Sequence, residues 1–82
     1  MKQEYTKYHD MNGERIPYGA LLDFTWWANY YGEVELHYTA RIRKRKNGDI
    51  FEFIKDEYGR DVHFTHRLSA LNWVEDDLML LK

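Results

Sequence analysis

The stretch Glu33–Asp56, EVELHYTARIRKRKNGDIFEFIKD, decides how this chain folds. From Glu33 to Arg43 it alternates: Val34, Leu36, Tyr38, Ala40 and Ile42 fall on one side, Glu35, His37, Thr39, Arg41 and Arg43 on the other. Period two over that length means a strand with one buried face. Asn47-Gly48 then supplies a strong hairpin signal, because a tight type I′ turn needs positive φ at both central positions. A two-residue turn there pairs Lys46 with Asp49, Arg43 with Glu52 and Ile42 with Phe53. Phe51 and Phe53 join Ile42 and Ala40 on the inner side, and Glu52 faces a basic partner across the ladder.

Working outward, Asp56-Glu57-Tyr58-Gly59 reads as a turn whose glycine takes a left-handed bulge position, and Asp61–Thr65 continues the alternation with Val62 and Phe64 inward. Upstream, Ala20–Phe24 is apolar enough for a strand, and Thr25–Tyr31 is read as a loop following it. Downstream, Leu68, Leu71, Val74, Leu78 and Leu81 fit a helix. They fit equally a turn at 67–72, Trp73-Val74 and a last strand, and periodicity cannot separate the two. The amino-terminal residues 1–10 are expected either to pair as a hairpin about Asn12-Gly13, with His9 opposite Ile16, or to stay mobile.

The expected fold is therefore one mainly β domain over 1–82, a small antiparallel meander or SH3-like barrel with strands near 20–25, 33–45, 49–55, 61–65 and 78–81. The alternative is an α+β fold, a three-stranded antiparallel sheet with helices at 18–31 and 67–81. Ala20-Leu21-Leu22-Asp23-Phe24 resembles the Ala-Leu-Tyr-Asp-Tyr opening of signalling SH3 domains. The resemblance covers five residues. The residues that build that family's proline-ligand groove have no counterpart here, so no binding residue is carried over.

Composition narrows the function. Eighty-two residues bury one small core. The chain has no cysteine, which excludes disulfide stapling and thiolate metal sites and fits a reducing, cytoplasmic setting. No apolar run is long enough for a membrane helix. Net charge is −2, so general affinity for polyanions is not built into the composition. Seven Tyr, four Phe and three Trp are more rings than so small a core can hide.

Nothing reads as catalytic. Ser69 is the lone serine, and the glycines sit singly in turns rather than in a phosphate-binding loop. Asp61, His63 and His66 lie close in sequence, but their spacing is no recognised ligand pattern. No enzyme, metal or cofactor is expected.

Two features remain. Trp26 and Trp27 are adjacent, so in extended chain they point oppositely and at least one reaches the surface, together with Tyr30 or Tyr31. Trp, Tyr and Arg carry interface hot spots. Arg41, Arg43, Lys44, Arg45 and Lys46 form a basic hairpin, with the arginines on one side and the lysines on the other. The expected function is a small non-catalytic protein-binding module, either a small adaptor or a stoichiometric inhibitor of host defence or replication machinery of the kind phage and mobile-element accessory proteins supply. Trp26 or Trp27, Tyr30 and Tyr31 would anchor the contact, and the hairpin would steer it. The alternative is nucleic-acid binding through the hairpin. Self-association through the outer positions Ile50 and Ile54 is a third possibility.

Overall fold

The computed structural model describes residues 3–29 and 33–81, without the side chains of Ala28, Asn29 and Glu33. Among these residues seven strands form: β1 (Tyr5–His9), β2 (Arg15–Pro17), β3 (Leu22–Asn29), β4 (Glu33–Arg43), β5 (Ile50–Asp56), β6 (Asp61–Arg67) and β7 (Leu78–Leu80). Between β6 and β7 the chain makes two single 3₁₀ turns, Leu68–Ala70 and Glu75–Asp77. The mainly β expectation holds. Among the described residues, the helices considered at 18–31 and 67–81 do not form: β3 takes up Leu22–Asn29 of the first segment, and the short turns and β7 the second. No helix among the described residues is long and apolar enough to cross a membrane.

All strand pairs are antiparallel. β1 and β2 make a two-stranded ribbon, and the rest make one sheet in the order β6-β5-β4-β3-β7. The core is the inner face of that sheet: Leu22, Phe24, Ala40, Ile42, Phe51, Phe53 and Leu78, closed over by Ile16 from the ribbon and by Leu68. Trp73 wedges between Tyr8 and Phe51, each ring pair 5.3 Å apart and edge-on, and donates its indole N–H to the Leu68 carbonyl. Trp26 of β3 and His66 of β6 belong to strands three ladder spacings apart, about 14 Å in a flat sheet. Their rings meet at 5.5 Å, so the sheet curls over its own aromatic filling.

Three sequence expectations are corrected. β3 runs on to Asn29, because Thr25–Asn29 pairs with Glu33–His37 of β4 instead of looping away. Residues 5–9 form a strand whose His9 stands opposite Arg15, one residue from the expected Ile16. The β4–β5 register slides by two residues: Ile42 pairs with Phe51 and Arg41 with Glu52. The cause is the turn. Asn47 does not take a positive φ; Gly48 does, at 117°, and its N–H closes on the Arg45 carbonyl. Asp49 accepts the Tyr18 hydroxyl at 2.9 and 3.0 Å instead of pairing with Lys46. A slip of two keeps every side chain on its expected face, which a slip of one would not.

β5 carries a bulge at Ile54: Phe53 pairs with Ala40, and Thr39 with Lys55. Strict alternation from Phe51 would turn Lys55 inward. The extra residue releases it to the outer face, where its ammonium sits 2.7 Å from Asp61.

The two hairpin turns Asp10–Glu14 and Asp56–Arg60 have the same construction. In each, the aspartate Oδ1 accepts two main-chain N–H groups at 2.9 Å, from Asn12 and Glu14 or from Tyr58 and Arg60. A glycine at φ 78° then returns its N–H to the aspartate carbonyl.

Candidate protein-binding surface

Trp26 and Trp27 separate as extended backbone requires. Trp26 turns inward, half-buried, its ring 5.9 Å from Tyr38 and 5.6 Å from Phe53. Trp27 turns outward and is 52% exposed, opposite Glu35 of β4. Tyr30 and Tyr31 lie outside the described residues.

Trp27 stands at a seam between two hollows. On its inner side is one of about 370 Å³, lined by Phe24, Trp26, Leu71, Trp73 and Val74 with Asn72 and Asp77. On its outer side is one of about 290 Å³, walled by Asp23, Glu35, Asp76 and Asp77 around His37, with Met11, Thr25 and Met79. Asp77 borders both. Its Oδ1 accepts the Trp27 indole N–H at 3.3 Å, and its Oδ2 accepts the Val74 N–H at 3.0 Å, which caps the Glu75–Asp77 turn. The indole is thus tethered on one edge.

Among the described residues, four carboxylates and no lysine or arginine line the outer hollow. His37 bridges two of the carboxylates, Nδ1 at 3.2 Å from Asp23 and Nε2 at 3.5 Å from Glu35. Thr25 Oγ1 lies 3.5 Å from the same Nδ1. Glu75 secures the neighbouring turn by accepting the His9 main-chain N–H at 2.6 Å. An aromatic face beside clustered carboxylates is the chemistry that receives a lysine or arginine side chain.

The basic hairpin is elsewhere. Glu35 and Arg43 are eight residues apart on β4, about 26 Å along the strand, so the structure does not bring the tryptophans and the arginines into one surface. Much of the basic charge is also engaged. Glu52 pairs with Arg41 and lies 3.8 Å from Arg43. Glu4 meets Lys44 at 2.7 Å, and that hydrogen bond and charge hold the ammonium above its ordinary pKa. Arg45 and Lys46 are exposed in the turn, past the end of the strand, so the two-faced sorting of the basic residues stops at Arg43. Folding adds two cations there that sequence distance conceals, since Lys7 and Arg67 border a hollow of about 340 Å³ beside Asn47 and Gly48. Of the outer isoleucines, Ile50 lies between Arg43 and Arg67 on the ladder, and Ile54 occupies the bulge. His63 and His66 fall on opposite faces of β6.

The acidic hollow was hidden in the sequence because its residues converge only through strand pairing: β3 sets Thr25 and Trp27 against His37 and Glu35 of β4, and β7, pairing with β3 on its other side, brings the 75–77 turn beside them. No protein-family model matches this chain, and neither a curated protein nor a solved structure does.

Proposed function

We propose that this protein is a non-catalytic binding module that takes a basic, partly apolar segment of another protein onto the Trp27 surface. The observation that carries this reading is the half-exposed Trp27 ring, anchored through Asp77 between a ring-lined hollow and a carboxylate-lined one. The ring-lined hollow, walled by Trp26, Leu71 and Trp73 with Asn72 and Asp77 at its margin, suits a leucine- or phenylalanine-sized group. The acidic one suits a lysine or arginine stacked on the indole. Rigid aromatic anchors of this kind carry a disproportionate share of binding energy. Acting by occupancy, such a module works stoichiometrically, as an inhibitor from a phage or mobile element would.

Selecting a displayed random-peptide library on the purified protein tests the reading. Sequences with lysine or arginine beside an apolar residue should be enriched. Their affinity should fall at least about tenfold in Trp27→Ala and in Asp76→Lys, and hardly at all in Lys46→Ala. Enrichment of acidic peptides, or binding indifferent to Trp27, overturns it.

A second reading, phosphate-backbone binding at the opposite end, is favoured by the gathering of Lys7 and Arg67 beside the Arg45–Lys46 turn. Its signature is affinity for single- or double-stranded nucleic acid that collapses as salt rises.

A further inference from the structure

We propose that two copies of this chain pair through β6, antiparallel about a two-fold axis at Phe64, joining their five-stranded sheets into one. β6 is an edge strand, and β5 is the one strand it pairs with among the described residues.

Which main-chain groups face the open side follows from its bonds to β5. The Leu68 N–H donates to the Asp49 carbonyl, and the Asp56 N–H to the Arg60 carbonyl. In an antiparallel ladder, bonded and non-bonded positions alternate. The β5–β6 ladder shifts register between Phe53 and Lys55. The bonded positions on either side of the shift, Leu68 and Arg60, nevertheless share even parity, and the burial of β6 alternates without a break. The even-numbered residues of β6 therefore bond toward β5. The N–H and C=O groups of Asp61, His63, Thr65 and Arg67 project from the free edge.

Natural edge strands discourage such pairing with lysines, prolines or a charge turned inward. β6, DVHFTHR, has none of these. Its two formal charges stand at its ends, on the outer face, and are opposite in sign. That arrangement is self-complementary. With Phe64 on the axis, Asp61 of each copy faces Arg67 of the other, His63 faces Thr65, and Val62 faces His66. The four odd-numbered residues are then all in hydrogen-bonded pairs. Sliding the register by two residues either way sets Asp61 against Thr65, or Arg67 against His63, and both ion pairs disappear.

The charges extend existing rows. Lys55 already holds Asp61 at 2.7 Å and keeps its carboxyl below the usual range, so the joined sheet carries Lys55, Asp61 and the second copy's Arg67 in sequence, cation beside anion beside cation. On the inner face Phe64 is half-buried and stacked on Phe53 at 4.8 Å. A second Phe64 at the closely spaced, non-hydrogen-bonded position covers its remaining exposed edge.

Light scattering and sedimentation over a concentration series test this. The wild-type chain should show a monomer–dimer equilibrium. Thr65→Pro removes an outward-facing N–H without touching the β5 ladder, and should leave monomer. Asp61→Arg and Arg67→Asp each set like charges opposite one another twice, and each should weaken the dimer by roughly tenfold. Mixed in equal amounts, those two variants should recover association, since the mixed dimer restores both ion pairs. Circular dichroism confirms that each variant is folded. A wild-type chain that stays monomeric to millimolar concentration overturns the proposal, as does a dimer indifferent to Thr65→Pro, or single charge variants whose mixture associates no better than either alone.

Discussion

The Asp10 carboxylate accepts the main-chain N–H of Leu80 at 3.1 Å, across seventy residues of chain. The same side chain organises its own turn through Asn12 and Glu14, and the Met11 N–H next to it reaches the Leu78 carbonyl at 2.7 Å. One carboxylate, 4% exposed, therefore joins the β1–β2 ribbon to the last strand.

Replacing it should be costly. Asp10→Ala leaves three main-chain donors without their acceptor, and we expect a loss of about 3 kcal/mol. For a chain of this length that lowers the melting temperature by roughly 15 °C in a thermal circular-dichroism scan. Asp10→Asn keeps an acceptor oxygen and should lose less than half as much. A change of only a degree or two in the alanine variant would mean the ribbon is held otherwise.

Phe53 is the hub of the ring cluster, with centroids of Phe24, Trp26, Tyr38 and Phe64 all within 5.6 Å. Phe53→Ala should cost about 4 kcal/mol in urea unfolding. Phe64→Ala, on the half-buried edge strand, should cost about half of that. Equal losses would place the hub wrongly.

The paired tryptophans should divide stability from binding. Trp26→Ala opens the ring cluster and should destabilise the fold by about 3 kcal/mol. Trp27→Ala touches the surface and should stay within about 1 kcal/mol of the parent. Differential acrylamide quenching of the two single variants gives an independent reading, because removing Trp27 should abolish the more accessible share of the emission.

Tyr18 links stability to alkaline pH. Burial, together with its hydrogen bond to the Asp49 carboxylate and that group's negative charge, raises its pKa from 10.0 to about 12. Between these values the folded chain keeps a proton that the unfolded chain has released. The Tyr18 contribution is therefore whole below pH 10 and declines as pH climbs toward 12. Ultraviolet titration should lose a step near pH 12 in Tyr18→Phe. The same variant should show a shallower fall of stability across that window, and an unchanged slope would contradict the assignment.

The sequence made some of this legible and hid the rest for identifiable reasons. Alternation assigned faces correctly from Val34 to Arg43 and from Ile50 to Phe53 even where the ladder register was off by two, because side-chain direction depends on parity alone. It failed at Lys55, where the bulge at Ile54 changes the parity. The register depended on Gly48 alone taking a positive φ and on Tyr18 capturing Asp49, a contact across 31 positions that no local pattern contains. Thr25–Asn29 looked like loop because its aromatic run alternates weakly; pairing with β4 makes it strand. The outward turn of Trp27 was foreseeable, since adjacent residues in a strand must part. Its carboxylate neighbours were not, as they come from β3, β4 and the turn before β7.

The length of β4 has a consequence for how partners arrive. Carboxylates gather by Glu35 at its start and cations past Arg43 at its finish, which gives the molecule an electric dipole along its longest strand. A charged partner diffusing nearby experiences a torque before it touches anything, so encounters begin pre-aligned, and added salt slows capture by weakening that orienting field.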